Sequence, residues 1–297
     1  MNLEICKTYV DELKKIGVKN IVLIGGEPTI YPYFLELIDY ININKMNVIL
    51  ATNGDKFSDY SFAKKAVDKG LNNVNISLKY TDVDNYRLLS DNSDINNIIN
   101  GHNNLRSLGC SVTMSYVILN QTIEDINKLK KFLIQNSINK IFFQLYKPTT
   151  GDKQVTHSCQ ELAIKCKEFY DIFKDSNINF AFDISIPLCL FLKLLIDKEI
   201  ISTCCHIRKG LGIVFDPDFN IKPCNHFIGY NFNDKMIHPN EVYDFWSNDV
   251  KVNRFRELLN NYPSKKCSNC QLWKICGGGC SIRWLIENPD EVIKGVL

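Results

Sequence analysis

The chain has 297 residues, of which 45% are hydrophobic and 23% charged, with a formal net charge of +2. That balance suits a globular protein of one large domain, or of one domain with a small companion. No basic block points to a nucleic-acid partner, and no apolar run approaches the roughly 20 residues of a membrane span.

Residues 3–13 open the chain with Leu3, Cys6, Tyr9, Val10 and Leu13 at helical spacing, and Gly17 stops the run. This start is an amphipathic charged helix, not a signal peptide, so a cytoplasmic location is expected. Apolar, β-branched runs follow at 21–24 (IVLI), 48–51 (VILA), 74–77 (VNIS), 112–117 (VTMSYV) and 141–145 (IFFQL), with a further one over 180–186. Helical patterns fall between them at 33–44, 57–69, 95–108, 123–135 and 160–174. The first five runs start 26 to 38 residues apart, the length of a βα unit. An α/β fold follows, with a parallel sheet curled toward a barrel. No strand precedes the opening helix, so run 21–24 is expected to leave one side unpaired. That suggests a fragment, a late start or a decayed relative.

Polar and glycine residues collect where the strands end. Gly25-Gly26-Glu27-Pro28-Thr29 follows the first run, Thr52-Asn53-Gly54 the second, and Tyr146-Lys147-Pro148 the fifth. The C-terminal strand ends form the active face of βα barrels. Two glycines allow the backbone to pass close to a ligand, Glu27 adds a charge, and Pro28 fixes the chain direction.

Twelve cysteines in a cytosolic-looking chain point to metal or iron–sulfur ligation more than to disulfides. Five lie in the first 200 residues, and seven between Cys204 and Cys280. Cys267, Cys270, Cys276 and Cys280 have the spacing Cx2C-x5-Cx3C, with three glycines in the last gap. Such a segment can wrap a metal, and tetrahedral zinc and iron–sulfur ligation both remain open. Cys6, Cys110, Cys159 and Cys166 read as buried small hydrophobes. The five histidines are scattered and read mostly as surface or loop residues, with His206 and His226 beside cysteines as candidates for a supporting role. The aromatic stretch 230–246 reads as a bridge between two domains.

Gly25-Gly26-Glu27-Pro28 resembles the GGEP motif of radical S-adenosylmethionine (SAM) enzymes. Thr52-Asn53-Gly54 is similar to the TNG that ends the family's third strand. Asn75-Ile76-Ser77-Leu78 is similar to the fourth-strand segment whose serine lies near SAM, and Pro148 and Gly151 to the proline–glycine after the sixth strand. The likeness covers roughly residues 1–150. It implies a partial (β/α)6 parallel barrel lacking its first strand over 1–185, followed by a small cysteine-rich iron–sulfur domain over 186–297. It also implies SAM contacts at Gly25, Gly26, Glu27, Pro28, Asn53 and Ser77.

The cysteines after residue 200 resemble the SPASM layout, which holds auxiliary [4Fe–4S] clusters. By that likeness Cys205 or its neighbour Cys204, with Cys224 and Cys280, serves one cluster. Cys267, Cys270 and Cys276 serve another, giving one or two in all. Three departures stand out. The family's Cys-x3-Cys-x2-Cys, which holds the SAM-cleaving cluster, is absent, so SAM binding is expected to be weak or absent and no catalytic residue is assigned. Phe219 replaces a hairpin glycine, which is expected to rebuild the turn around Asp218 and Asn220. No cysteine follows Cys280, so the second cluster is short of a ligand, or takes it from a non-cysteine group, or the C-terminus is truncated as well. The resemblance implies radical crosslinking or oxidation of a ribosomally made precursor peptide or protein, with a flavodoxin or ferredoxin as electron donor. The alternatives are a non-catalytic remnant that binds a cluster or a partner, and a zinc-binding βα protein.

Overall fold

The structure, a computed structural model, describes residues 1–79, 94–154, 156–191, 195–196, 200–202, 205 and 211–294. Cys204 and His206 lie outside the described residues. Seven strands follow one another in chain order in one sheet. They are β1 (Asn20–Leu23), β2 (Asn47–Thr52), β3 (Asn73–Ser77), β4 (Ser111–Ile118), β5 (Lys140–Leu145), β6 (Asn179–Asp183) and the two-residue β7 (Ile201–Ser202). The pairs β1–β2, β2–β3, β3–β4 and β6–β7 are parallel. Helices α1 (Leu3–Lys15), α2 (Phe34–Ile43), α3 (Tyr60–Asp68), α4 (Ile95–Ser107), α5 (Ile123–Gln135) and α6 (Cys159–Phe173) alternate with the strands. This is the α/β partial-barrel fold expected from the repeat. Each of the six anticipated strands is present, and β7 is an addition that the short apolar pair did not announce.

The chain divides into two compact units. One comprises Met1–Tyr116, Glu124–Phe142 and Ser176–Asn179, and the other Val117–Ile123, Phe143–Asp175 and Phe180–Leu297.

In the first unit, alternation along the strands builds the core. Val48, Leu50 and Thr52 of β2 and Val74 and Ile76 of β3 are buried, as are Ile38 and Ile41 of α2 and Ala63 and Ala66 of α3. Each fully buried aliphatic side chain contributes about 1.5–3 kcal/mol. Side chains begin the helices. Asn2 accepts hydrogen bonds from the N–H of Glu4 and Ile5 at the start of α1. Asp59 does the same for Ser61 and Phe62 at α3. That cap divides the helical pattern anticipated over 57–69 into a 3-10 turn, Asp55–Ser58, and α3. β1 is the first strand of the sheet and pairs with β2, while Val22 and Ile24 are 53% and 54% exposed.

In the second unit a hairpin pairs β8 (Val214–Phe215) with β9 (Ile221–Lys222). It packs with α7 (Val242–Asn248) and α8 (Val250–Asn260) around Ile221, Phe232, Trp246, Val252 and Leu259. Of the aromatics in 230–246, Phe232 and Trp246 lie in the core of this unit and Phe245 packs against it, while Tyr230 and Tyr243 are exposed. Four rings, Phe143, Phe169, Phe173 and Phe182, form another apolar centre, with Phe143 4.9–5.4 Å from the other three centroids.

The hairpin turn corrects a detail. Phe219 keeps the glycine-like backbone, at φ +64°, and is 6% exposed. Asp216, rather than Asp218, organises the turn: its Oδ1 accepts from the N–H of Asp218 at 2.9 Å and of Asn220 at 3.0 Å. Burial pushes the Asp216 carboxyl up, but hydrogen bonds from Asn220 and the backbone bring it below the ordinary aspartate value.

His102 also departs from expectation. It is 2% exposed on α4, and burial holds its imidazole below the ordinary histidine range. The unfolded chain takes up the proton near pH 6.5 and the folded chain resists it. Its contribution is therefore complete above about pH 6.5 and is lost as pH falls through that value. The urea midpoint is expected to drop between about pH 7.5 and pH 5, and His102→Leu to flatten that slope. Part of the slope should remain, because burial lowers His226 in the same sense. An unchanged slope in His102→Leu would assign the pH sensitivity elsewhere.

Candidate functional site

Two sets of residues with chemical potential stand out, one in each unit. The first lies at the C-terminal ends of β1, β2 and β3. Gly25 has φ +149°, a value side chains rarely adopt, and a Cβ built on Gly25 or Gly26 would meet nothing within 4 Å. The turn after β1 is thus open around both glycines. Pro28 begins the 3-10 turn Pro28–Ile30. Thr52 pairs in register with Ile76, so Asn53 and Ser77 continue from neighbouring strand positions.

Glu27 holds this edge together. Its Oε1 accepts from the Thr29 N–H at 3.1 Å, the Thr29 hydroxyl at 2.7 Å and the Thr52 hydroxyl at 2.6 Å. Its Oε2 accepts from the Asn53 N–H at 2.7 Å. Thr29 and Thr52 are both buried. The carboxylate therefore clamps the turn after β1 to the end of β2. Asn53 Oδ1 in turn accepts from the Asp55 N–H at 3.0 Å, and the Lys56 ammonium donates to the Thr29 carbonyl at 3.0 Å. α4 supports the edge from behind. Gly101 lies so close that an added Cβ would be 2.6 Å from the Gly54 carbonyl oxygen.

The second set is in the other unit, where six of the seven anticipated metal-ligating cysteines are described, all as free thiols. Cys205, Cys224 and Cys280 form one group. Burial pushes the Cys224 thiol up to about 11, and the charges of Cys280 and Cys205 add to the effect. Cys280 is raised chiefly by burial and also feels Cys205. Cys267, Cys270 and Cys276 form the other group around a recess, and Cys189 lies on the same recess. Burial raises Cys267 and Cys276, and both also feel Cys189 and Cys270.

Backbone N–H groups are directed at these sulfurs. Leu188 donates to Cys276 Sγ at 3.3 Å. Hydrogen bonds with the backbone at His226 and Phe227 favour the Cys224 thiolate, and those at Ile282 and Arg283 favour that of Cys280. Such donors stabilise negative sulfur, as thiolate ligation requires. Among the described residues, no three Cys, His, Asp or Glu side chains close to the spacing of a single metal ion. The donor set is all thiol, a chemistry that suits zinc and iron–sulfur ligation alike.

Sequence reasoning missed Cys189, whose partners lie far downstream. It also missed Thr29 and Thr52, although both sit inside the quoted motifs. At the end of β6, Asp183 pairs with Lys147, which follows β5, and Lys147 also lowers the Cys280 thiol. Cys6, Cys110, Cys159 and Cys166 are buried, as anticipated.

Residues 1–133 match the family model described as the radical SAM superfamily. The chain is 28% identical over 301 residues to Fe-coproporphyrin III synthase of Methanosarcina barkeri, covering 93% of this chain and 74% of that protein. It is 22% identical over 309 residues to mycofactocin maturase MftC of Mycolicibacterium smegmatis, covering 98% of this chain and 74% of that protein. Its fold is similar to that of Streptococcus suis SuiB bound to S-adenosylmethionine, with a TM-score of 0.71 at 20% identity. That match covers 98% of this chain and 68% of SuiB.

The clamp yields a prediction. Glu27→Ala leaves the buried hydroxyls of Thr29 and Thr52 without their acceptor, at about 1–3 kcal/mol for each unsatisfied group. The expected outcome in urea unfolding is a loss of about 2–4 kcal/mol. Glu27→Gln should recover only part of it, since its amide NH2 opposes one of the present donors. Wild-type stability in Glu27→Ala would show that the carboxylate is not structural.

Proposed function

We propose that this chain is a radical SAM protein with a SPASM-type second part over residues 186–297, and that it holds one or two auxiliary [4Fe–4S] clusters. The observation that carries this reading is the gathering of thiols into two groups in one unit, with backbone N–H groups directed at their sulfurs. Cys205, Cys224 and Cys280 would hold one cluster, with Cys204 beside them in sequence. Cys267, Cys270 and Cys276 would hold the other. Bound at these thiols, the clusters supply centres of electron exchange.

At the strand edge, the backbone of Gly25 and Gly26 presents the open face of the turn, and Asn53 and Ser77 flank it. Glu27 and Pro28 contribute by fixing the shape of that turn. The amino-acid part of SAM is the ligand assigned to this edge. The activity of the whole protein is radical modification, by crosslinking or oxidation, of a ribosomally made peptide or protein in the cytoplasm, with a flavodoxin or ferredoxin supplying electrons. Supporting the peptide reading, MftC is named as a maturase, and SuiB has been solved with its precursor peptide SuiA. A second reading is favoured by the 28% identity to Fe-coproporphyrin III synthase, and would make an iron coproporphyrin the product.

Anaerobic reconstitution with iron and sulfide is expected to give a brown protein with broad visible absorption. A colourless protein carrying stoichiometric zinc would replace the cluster reading with a zinc site. Titration of the reconstituted protein with candidate precursor peptides and with iron coproporphyrin III, read by tryptophan fluorescence, separates the two readings. Peptide binding alone is the expected result, and porphyrin binding alone would overturn it.

A further inference from the structure

We propose that Cys189 joins Cys267, Cys270 and Cys276 to complete a four-thiolate site for an iron–sulfur cluster, leaving that cluster no position for a substrate or other outside ligand. This rests on the iron–sulfur reading above and names a fourth thiolate for that cluster.

Local geometry brings Cys189 to the other three. Pro187, at φ −60°, leads into the 3-10 turn Leu188–Leu190. The N–H groups of Leu190 and Phe191 are used within the turn, on the carbonyls of Pro187 and Leu188. The Leu188 N–H is left to donate to Cys276 Sγ at 3.3 Å. Just upstream, the segment that carries Cys189 is fastened to the glycine run. The Cys280 N–H donates to the Ser185 carbonyl at 2.8 Å. A Cβ on Gly279 would lie 3.0 Å from that same oxygen and 3.1 Å from Ile186 backbone atoms. Residues 185–188 therefore lie against 276–280, with no room for a side chain at Gly279.

The surroundings of Cys189 differ from those of an ordinary core thiol. Cys110 and Cys166 are shifted by burial alone. Cys189 instead shares one recess with Cys267, Cys270 and Cys276. Trp273, Trp284 and Ile293 pack against Cys189 and Cys267 and shield the recess with hydrocarbon. A [4Fe–4S] cluster takes four thiolates, one on each iron. Four cysteines satisfy all four irons.

The test uses the full chain, reconstituted anaerobically, in wild-type, Cys189→Ala, Cys189→Ser and Cys110→Ala forms. Iron and sulfide content, Mössbauer spectra and electron paramagnetic resonance after mild oxidation are the readouts. Cys189→Ala should lose one whole cluster, about four irons per chain, or hold a three-iron cluster with its own resonance. Cys110→Ala should match wild type, and Cys189→Ser should show altered spectra at this cluster. Wild-type iron content and spectra in both Cys189 variants would overturn the proposal. Wild-type protein that takes up no iron would overturn the cluster reading beneath it, which is a separate outcome.

Alkylation of loaded wild-type protein, before and after iron chelation, asks the same question without a substitution and so does not depend on variant folding. Cys189 should become reactive together with Cys267, Cys270 and Cys276 once the iron is removed. Equal reactivity of Cys189 before and after chelation would sink the assignment.

Discussion

Three consecutive glycines in left-handed backbone, at φ +55°, +77° and +80°, set the path of residues 277–279. Other residues would each lose about 1–2 kcal/mol in that conformation. At two of the three positions space forbids a side chain as well. A Cβ on Gly278 would lie 2.6 Å from Pro263, and one on Gly279 would press on residues 185 and 186. The bend delivers Cys276 to one thiol group and Cys280 to the other, although only three residues separate them. A change at Gly279 would disturb both groups together, whereas the individual cysteines belong to one or the other. The glycines are thus the structural condition for having two groups in so short a segment.

The strand edge of the first unit uses charge differently. Glu27 lies in the loop where a ligand-facing carboxylate would be expected, but its two oxygens take four hydrogen bonds from the protein. Its charge holds the turn after β1 against the end of β2. What this edge presents outward is backbone shape, set by Gly25 and held from behind by the close approach of Gly101 to Gly54. A rigid backbone edge loses little entropy on meeting a small ligand, which favours recognition through N–H and carbonyl groups.

Much of this was legible in the sequence because βα units announce themselves by periodicity. The runs at 48–51, 74–77 and 141–145 are the cores of β2, β3 and β5. The Cx2C-x5-Cx3C spacing likewise marked Cys267, Cys270 and Cys276, which line one recess. Cys189 was illegible because proximity to Cys267 is a tertiary fact, made by the glycine run and the Ser185 contact. His102 was misread because its neighbours in the chain are polar, while the face of α4 that it occupies is buried with Ile98 and Leu105. Phe219 kept a glycine's backbone conformation because Asp216 holds the turn from one side and burial of the ring holds it from the other.

The region beyond Cys280 is anchored by a buried ion pair. Arg283 is fully buried, paired with Glu287 at 2.7 Å and donating to the carbonyls of His157 and Tyr146 at 3.1 and 3.2 Å. A buried ion pair of this kind is weak evidence of stabilisation, because desolvation offsets much of the attraction. Its clear effect is positional, since it fixes residues 283–287 against the end of β5. Trp284 reaches back from the same segment, its indole N–H donating to the Gly278 carbonyl at 3.0 Å. The glycine run is therefore held on one side by residues 185–188 and on the other by Trp284. Burial raises the thiols of Cys224, Cys276 and Cys280, and the backbone hydrogen bonds at the same sulfurs act in the opposite sense.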